Sequence, residues 1–393
     1  MDDMQVVIAG GARTAMGGVN GAFAGVSAVE LGAAAIRAAV ERSGITGADV
    51  DEVIMGCVLP AGVRQGPARQ AAIAAGIPKS AGATTINKLC GSGMQAVIFA
   101  HDQIRAGTNR IMVAGGMESM SSAPHLLINA RAGYRLGHAE AKDHMFYDGL
   151  EDAYTGRLMG TFAQETANDR GLTREDMDRY AILSLERARA AIESGALKDE
   201  IVPFTVKGKK GETVVDTDEQ PMNARPDKIP TLKASFAKEG TITAANSSSI
   251  SDGASALVLC SLGEARRRGL TPQARIVAHS RHSHEPGLFT TAPIGAMQKL
   301  FARTGWTRDD VDLFEINEAF AMVTMLAIRD LGLDEAKVNV HGGACAQGHP
   351  IGSTGSRIIV TLVHALRRHG KQRGVASLCI GGGEATAVGI ELL

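Results

Sequence analysis

The octapeptide DVDEVIMG at residues 49–56 has a counterpart near the other end of the chain, DVDLFEIN at residues 310–317. In both copies a short apolar run follows acidic residues, a pattern typical of a buried β-strand. A second pair, AGGMES at 114–119 and IGGGEA at 380–385, recurs in the same order. The spacing of these pairs is too long for a solenoid, so it predicts two fused copies of one α/β unit.

Short apolar strands alternate with amphipathic helices around these repeats, which is typical of a layered α/β fold. The run VVIAG at 6–10 predicts a strand. Ser27 and Glu30 predict a capping box for the first helix, and Gly44 predicts its end. Near the other end, KVNVHGG at 337–343 predicts another strand.

The middle of the chain differs from both halves because it is richer in charge, and its sequence predicts a hairpin that turns at residues 207–211. We predict an insertion on one edge of the paired core, with an independent middle domain as the alternative. The predicted parts are 1–121 with 249–272 for the N-terminal core half, 122–248 for the inserted loop domain, and 273–393 for the C-terminal core half.

The composition excludes several classes of protein. Lys and Arg number 41 against 42 Asp and Glu, so bulk charge does not predict binding to nucleic acid or an anionic membrane. Five cysteines without a C-x-x-C pair argue against a disulfide framework or zinc ribbon and favour a reducing compartment. The acidic start and the lack of any run of about 18 apolar residues predict a soluble, cytoplasmic protein.

The segment NKLCGSGMQAV at 87–97 places Cys90 between a strand and a helix. Free N–H groups and the helix dipole at that position predict a lowered thiol pKa, and Gly91 and Gly93 permit a sharp turn that exposes the sulfur. An inert buried cysteine is the alternative. The same glycines match a dinucleotide fingerprint, but Glu118 comes too late for the acidic residue that this reading requires.

The segment HGGACAQGHPIGSTG at 341–355 fixes His349 between Gly348 and Pro350. This histidine is a candidate general base or oxyanion donor, and a structural histidine is the alternative. We expect the nearby Cys345 to serve packing.

The segment EINEAFA at 315–321 places Asn317 before a helix predicted over 318–331. The asparagine is either the N-cap of that helix or an amide that holds a water or an oxyanion. In SLCIGGGEA at 377–385, three glycines follow Cys379, which by itself would be interpreted as a core residue.

A histidine-rich stretch, HSRHSHE, resembles a set of metal ligands in composition: His279, His282, His284 and Glu285. Their spacing fits neither one helical face nor one face of a strand. We therefore predict a polar, solvated loop.

Taken together, NKLCGSG, NEAF, GHPIGSTG and CIGGG occur in this order over the whole chain, which closely resembles the thiolase family, the acetyl-CoA acyltransferases. The resemblance extends from ARTAMG at 12–17 through GGMESMS at 115–121 and TITAANSSSISDGA at 241–254 to the last strand. It implies a five-layered α-β-α-β-α core with an inserted loop domain. It also implies acyl transfer through an acyl-cysteine intermediate.

The resemblance also implies a role for each matching residue. Cys90 would be the nucleophile that accepts the acyl group, and Cys379 would act as acid and base. His349 would activate the nucleophile and form an oxyanion hole with a water held by Asn317. The backbone N–H groups of Cys90 and Gly381 would form a second oxyanion hole.

Substrate contacts are implied less directly. Ser248 matches a serine that contacts the pantetheine arm, and Arg225 or lysines of the insertion would meet the CoA phosphates. In the segment LMGTFAQE, Leu158 stands where acetoacetyl-CoA thiolases usually have a histidine, and Met159 follows it. Phe289 replaces a methionine that usually lines the acyl pocket, which leaves the acyl-chain preference open.

The resemblance therefore implies an acetyl-CoA C-acetyltransferase that acts on acyl-CoA thioesters, with CoA as substrate and no prosthetic group or metal. It also implies a homodimer or a homotetramer built as a dimer of dimers, and a place in fatty-acid metabolism. The alternatives are a broader-chain 3-ketoacyl-CoA thiolase of β-oxidation, a decarboxylating ketoacyl synthase, and a non-catalytic acyl-CoA or lipid-binding relative.

Overall fold

The computed structural model describes residues 2–208 and 211–393 of the chain. The strands are β1 (Val6–Thr14), β2 (Gly17–Gly18), β3 (Glu52–Gly56), β4 (Gly82–Ile86), β5 (Ile111–Ser119), β6 (His125–Leu127), β7 (Ala141–Asp143), β8 (Ile201–Val202), β9 (Phe204–Gly208), β10 (Gly211–Val215), β11 (Ser251–Ser261), β12 (Ala274–Ser283), β13 (Leu313–Ile316), β14 (Arg373–Ile380) and β15 (Glu384–Leu392). The helices are α1 (Ala28–Arg42), α2 (Pro67–Ala74), α3 (Ser92–Arg105), α4 (Met159–Asp169), α5 (Arg174–Glu193), α6 (Glu219–Asn223), α7 (Leu262–Arg268), α8 (Ala292–Thr304), α9 (Ala321–Leu331), α10 (Ala344–Gln347) and α11 (Thr354–Arg368).

The main sheet consists of two halves with the same topology. Its order is β13-β14-β15-β12-β1-β11-β5-β3-β4. In the first half, β3 runs parallel to β5, β5 antiparallel to β11, and β11 antiparallel to β1. In the second half, β13, β14, β15 and β12 repeat this sequence of directions. The predicted duplication is therefore confirmed, and the two halves join where β1 pairs briefly with β12.

Helices complete the five layers. The helices α1 and α2 cover the outer face of the first half, whereas α8, with α9 beside it, covers that of the second. Between the halves, α3 packs against α11. Glycines permit this close approach, since a Cβ at Gly93 would lie 2.6 Å from Ser356 Oγ and one at Gly355 would collide with the Met94 backbone nitrogen.

The middle segment packs against the core. Its long helix α5 contacts α9 and α10, and β8 pairs in parallel with the end of β1. The predicted hairpin is present as β9 and β10, although Lys209 and Lys210 in its turn lie outside the described residues. The division at residues 122, 249 and 273 stays a prediction. Within the described ranges, no helix has the length and apolar character needed to span a bilayer.

Local predictions had mixed outcomes. The capping box of Ser27 and Glu30 is confirmed, and Gly44 follows the helix end with φ of 75°. The strand predicted over 337–343 is wrong: Val338 alone bridges to Phe314 within that stretch. The chain leaves the sheet there because the next residue, an asparagine, adopts a left-handed φ of 49°.

The prediction of a loop over HSRHSHE is also wrong. The strand β12 continues through Ser283 and pairs with β15 along this stretch. The pairing is possible because the polar side chains alternate between the two faces of the strand, which a strand with partly exposed faces tolerates.

Candidate active site

Cys90 lies on a tight turn between β4 and α3. Leu89 adopts a φ of 47°, a left-handed conformation that is uncommon for a leucine. The hydroxyl of Ser92 fixes the turn because it accepts from the Lys88 N–H at 2.8 Å and donates to the Leu89 carbonyl at 2.7 Å. A Cβ at Gly91 would collide with the Ile380 side chain, so glycine allows the turn to contact the end of β14.

The expected lowering of the Cys90 pKa is wrong for the free protein. Burial raises the pKa of the thiol to about 11, and the backbone N–H groups of Gly381 and of Cys90 itself counteract only part of this effect. Removal of water from the sulfur outweighs the favourable N–H dipoles. Cys90 is therefore a neutral thiol that requires a base.

His349 has the properties of that base. Its Nδ1 lies 2.6 Å from Thr354 Oγ1, and this hydroxyl donates to the Pro350 carbonyl at 3.0 Å. The hydroxyl therefore accepts from Nδ1–H, which leaves a lone pair on Nε2. Nε2 is buried and has no partner among the described residues. Burial, aided by Arg357, lowers the pKa of His349 to about 3, so the ring is neutral.

Asn317 provides a second unpaired group. Its backbone N–H donates to the Ser377 carbonyl at 3.0 Å, which fixes the residue beside β14. Both polar atoms of its amide are buried without a partner in the described part of the chain. The N-cap of α9 is Phe320, so the alternative role of Asn317 as N-cap is wrong, and the predicted start of that helix is three residues too early. Buried amides are normally paired, and this one therefore indicates a place for a water or a ligand.

Cys379 is the last residue but one of β14 and is only 1% exposed. Burial raises the pKa of its thiol well above the usual range, and the proximity of Cys90 raises it further. The loop that follows approaches the turn of Cys90, since a Cβ at Gly381 would lie 3.1 Å from Leu89 Cδ1 and 3.6 Å from Met159 Cε. The structure thus brings together the two cysteines that the sequence separates by almost 300 residues.

Glu118 joins the two halves around this site. Its fully buried carboxylate accepts from the N–H groups of Val58, Leu59 and Gly352, at 3.0, 3.1 and 2.9 Å. Burial raises the pKa of Glu118 to about 7. These bonds hold the loop after His349 against the first half of the core.

Sequence reasoning did not assign functional roles to Glu118, Thr354 or Phe320. The segments GGMESMS, GSTG and NEAF contain them, but no local pattern indicates which side chain orients another. Only the contacts in the structure distinguish these residues from their neighbours.

The predicted substrate contacts occupy different environments. Phe289 is buried in an apolar cluster with Cys379, and its ring lies 6.4 Å from that of Phe320. Met159 packs against the same cluster, whereas Leu158 precedes α4 and is half-buried outside it. Ser248 is half-buried, and its backbone N–H donates to the Ala319 carbonyl at 2.9 Å. The side chain of Arg225 is exposed, and its guanidinium lies 3.8 Å from the Asp227 carboxylate.

Cys345 lies partly buried beside the same cluster. Its sulfur is 3.7 Å from the Glu318 carbonyl, and burial raises the pKa of its thiol well above the usual range. These contacts fit the packing role expected for it.

Comparisons with known proteins agree with this geometry. Residues 6–263 match the thiolase N-terminal domain, and residues 270–392 match the thiolase C-terminal domain. The acetyl-CoA acetyltransferases of Rhizobium meliloti and Shinella zoogloeoides are each 48% identical to the chain, and each alignment covers 100% of both sequences.

Two solved structures have the same fold. The acetyl-CoA acetyltransferase of Bacillus anthracis superposes with a TM-score of 0.97 at 42% identity, with 99% of each chain covered. The Acat5 thiolase of Ascaris suum, solved in complex with coenzyme A, has a TM-score of 0.94 at 41% identity and covers 99% of this chain and 100% of its own.

Proposed function

The chain belongs to the thiolase family, and from this premise we propose that it is an acetyl-CoA C-acetyltransferase. The reaction is the reversible Claisen condensation of two acetyl-CoA molecules to acetoacetyl-CoA and CoA. The full-length similarity to relatives of that name supports this activity over the alternatives of a ketoacyl synthase or a non-catalytic binding protein. The protein is thus an acyltransferase that acts on acyl-CoA thioesters.

The observation that carries the proposal is the pair of unpartnered buried groups, His349 Nε2 and the Asn317 amide. Each buried polar group without a partner costs about 1–3 kcal/mol of stability. Their position on the loops that flank Cys90 and Cys379 supports a role in which the substrate, or a water, supplies the missing partners.

In the first half-reaction His349 Nε2 takes the proton of Cys90. Burial disfavours a free thiolate, so proton transfer accompanies attack on the acetyl carbonyl. The developing oxyanion accepts from the N–H groups of Cys90 and Gly381. The CoA thiolate leaves and takes the proton of Cys379, so that acetyl-Cys90, CoA and a Cys379 thiolate result.

In the second half-reaction the Cys379 thiolate removes a proton from the methyl carbon of another acetyl-CoA. The enolate oxygen accepts from the protonated His349 and from a water on Asn317. The enolate carbon attacks acetyl-Cys90, the carbon–sulfur bond breaks, and His349 returns its proton to the Cys90 sulfur. The products are acetoacetyl-CoA and CoA, and the enzyme regains both thiols.

The acyl group is short in this proposal. Phe289, Phe320 and Met159 pack around Cys379 and support a pocket that favours acetyl over longer chains. Ser248 would contact the pantetheine arm, and Arg225, exposed on the insertion, would meet the CoA phosphates. Leu158 would contact the CoA arm at the start of α4.

The setting of the enzyme also belongs to the proposal. We place it in the cytoplasm and in fatty-acid metabolism, as a homodimer or homotetramer that uses no prosthetic group or metal for the condensation. All five cysteines are free thiols, which supports a reducing compartment.

Mass spectrometry after incubation with acetyl-CoA tests the nucleophile. We expect one acetyl group on Cys90, none in Cys90→Ala, and normal labelling in the matched control Cys345→Ala. Acetylation at another residue would overturn the assignment.

Thiolysis rates test the substrate class. We expect acetoacetyl-CoA to be cleaved at least about tenfold faster than longer 3-ketoacyl-CoAs, a difference of about 1.4 kcal/mol in transition-state binding. Equal rates would favour the broader-chain thiolase.

A further inference from the structure

A second cluster of ionisable side chains lies at the contact between α3 and β12. His101 and Asp102 belong to α3, and His279 belongs to β12. Asp102 Oδ1 lies 3.0 Å from His101 Nδ1 and 2.9 Å from His279 Nε2. His101 follows the first residue of α3 by nine positions, about 14 Å along the helix axis, so the cluster is separate from Cys90.

The histidine-rich stretch contributes one side chain to this cluster. His279 and His282 are three positions apart on β12, and side chains at that spacing point to opposite faces of a strand. His282 packs against Gly295 of α8, on the outer side. His279 faces α3, and its ring meets that of His101 edge to face at 5.0 Å.

We propose that His101, Asp102 and His279 bind a divalent transition-metal ion of the Zn²⁺, Co²⁺ or Ni²⁺ class. One donor atom from each residue lies within 4.8 Å of the other two. Ligand atoms around a four-coordinate ion, each about 2.1 Å from the metal, are about 3.4 Å apart, so small side-chain shifts complete the site. Asp102 is 49% exposed, which leaves a path for the ion and for a water as fourth ligand.

The hydrogen bonds of the cluster identify the atoms that would bind the ion. Asp102 Oδ1 accepts from a ring N–H of His101 and from a ring N–H of His279, so a bound ion would take the place of these two protons. The contact with Asp102 places the ring proton of His279 on Nε2, but Nδ1 has no partner among the described residues, so the proton can move to Nδ1 when an ion binds.

The donor set determines the class of metal. Two imidazoles favour Zn²⁺, Co²⁺ or Ni²⁺ over Mg²⁺ and Ca²⁺, which prefer oxygen ligands. Arg281 Nη2 lies 3.9 Å from Asp102 Oδ2 and offsets part of the carboxylate charge, so the two imidazoles must supply most of the affinity for the ion. Because the ligands come from both core halves, the ion would link the halves in the folded state and raise the thermal midpoint.

Cobalt titration of the full-length enzyme, after treatment with EDTA and with Cys90 alkylated by iodoacetamide, tests the proposal. We expect one Co²⁺ per chain with visible d–d bands and no sulfur-to-cobalt charge-transfer band. His279→Gln and His101→Gln should each weaken binding more than about 100-fold, since even changes behind the ligands cost about 10–100-fold. His282→Gln, on the other face of the same strand, is the matched control and should bind as the wild type does.

Three outcomes would overturn the proposal: no stoichiometric binding by the wild type, unchanged binding by both ligand variants, or equal loss in His282→Gln. If the histidine variants fail to fold, Asp102→Asn keeps the side-chain size and removes the charge. That variant must bind Co²⁺ more weakly while its thermal midpoint without metal matches the wild type. Condensation by non-alkylated samples of all variants should stay within about twofold of the wild type, because the site lies about 14 Å along α3 from the end of the helix that follows Cys90.

Discussion

The two halves of the core share one strand order but end their equivalent strands differently. In the first half, β5 continues straight through Gly116, where a Cβ would collide with the Gly352 carbonyl. In the second half, β14 stops at Ile380, and Gly382 and Gly383 turn the chain with φ of 86° and 84°. In the first half, the missing side chain of the glycine therefore lets a loop of the other half pack against the strand. In the second half, the glycines end the strand by turning the chain.

The cysteines differ in the same way. Cys90 of the first half lies on a turn with a strained neighbour and is half-buried, whereas Cys379 of the second half lies within a strand, one residue before its end, and belongs to the apolar cluster of Phe289. The two halves thus share their strand order because of the duplication, whereas the different positions of the two cysteines result from differences at the strand ends.

The largest expected effect separates the two cysteines. Cys90→Ala should lower condensation by about 10⁴-fold or more, because it removes the nucleophile of the first half-reaction and the acetyl carrier of the second. Cys379→Ala should still accumulate acetyl-Cys90 but should not form acetoacetyl-CoA. Mass spectrometry and product assays distinguish the two, and loss of acetylation in both variants would refute the division of labour.

Two asparagines of the second half sharpen the comparison between catalytic and structural residues. Asn317→Ala should lower the rate about 10²–10³-fold through loss of an oxyanion contact, with the free energy of unfolding preserved. Asn339 instead bonds to the backbone N–H and C=O of Ile316 and to Glu318, each at 2.8 Å. Its replacement by alanine should cost about 2–3 kcal/mol of stability. Urea denaturation and initial rates measure the two effects, and a stability loss in Asn317→Ala would contradict the first.

The glycines test the comparison of strand ends. Gly116→Ala should destabilise the fold by about 3 kcal/mol, because the opposing atom is a backbone oxygen that cannot move aside easily. Gly381→Ala meets the flexible side chains of Leu89, at 3.1 Å, and Met159, at 3.6 Å, and should cost less than about 1 kcal/mol. We expect this variant to fold but to react more slowly, since the added methyl crowds the N–H beside Cys90. Thermal unfolding measures the stability of the two variants, and steady-state rates measure their activity. Equal thermal midpoints for Gly116→Ala and Gly381→Ala would contradict the expected difference in stability.

The buried acid of the first half should make stability fall as the pH rises. Glu118 has a folded pKa of about 7 against an ordinary value of 4.5, so the unfolded chain loses this proton first. The free energy of unfolding therefore decreases between these pH values. Relative to the wild type, Glu118→Gln should gain about 2 kcal/mol between pH 5 and pH 7. Urea titrations at both pH values measure the change, and a constant difference would exclude it.

The buried histidine of the second half should act with the opposite sign. His349 has a folded pKa of about 3 against an ordinary value of 6.5, so the folded state binds fewer protons and gains stability as the pH rises through this window. His349→Gln should therefore lose stability relative to the wild type between pH 4.5 and pH 6.5. The same titrations test it, and a change in the direction of Glu118→Gln would refute the neutral, buried ring.

The sequence by itself determined the architecture and the family, because both depend on local order. Apolar runs of strand length, the capping box at Ser27 and the repeated octapeptides predict a duplicated α/β fold, and four short segments in a fixed order indicate a thiolase. Sequence reasoning predicts the wrong secondary structure where the conformation of a segment depends on residues that are distant in the chain. The run KVNVHGG looks like a strand, but Asn339 turns to bond Ile316 and Glu318.

Only the tertiary structure decided how the candidate site works. Helix position predicts an acidic thiol at Cys90, yet burial raises its pKa by more than the N–H groups of Cys90 and Gly381 lower it. Which nitrogen of His349 is free depends on Thr354, and which histidine of HSRHSHE meets Asp102 depends on the packing of α3 against β12. The burial and the hydrogen bonds of one side chain depend on atoms from several helices and strands. Those elements are neighbours only in the folded protein, where the two halves of the core pack together.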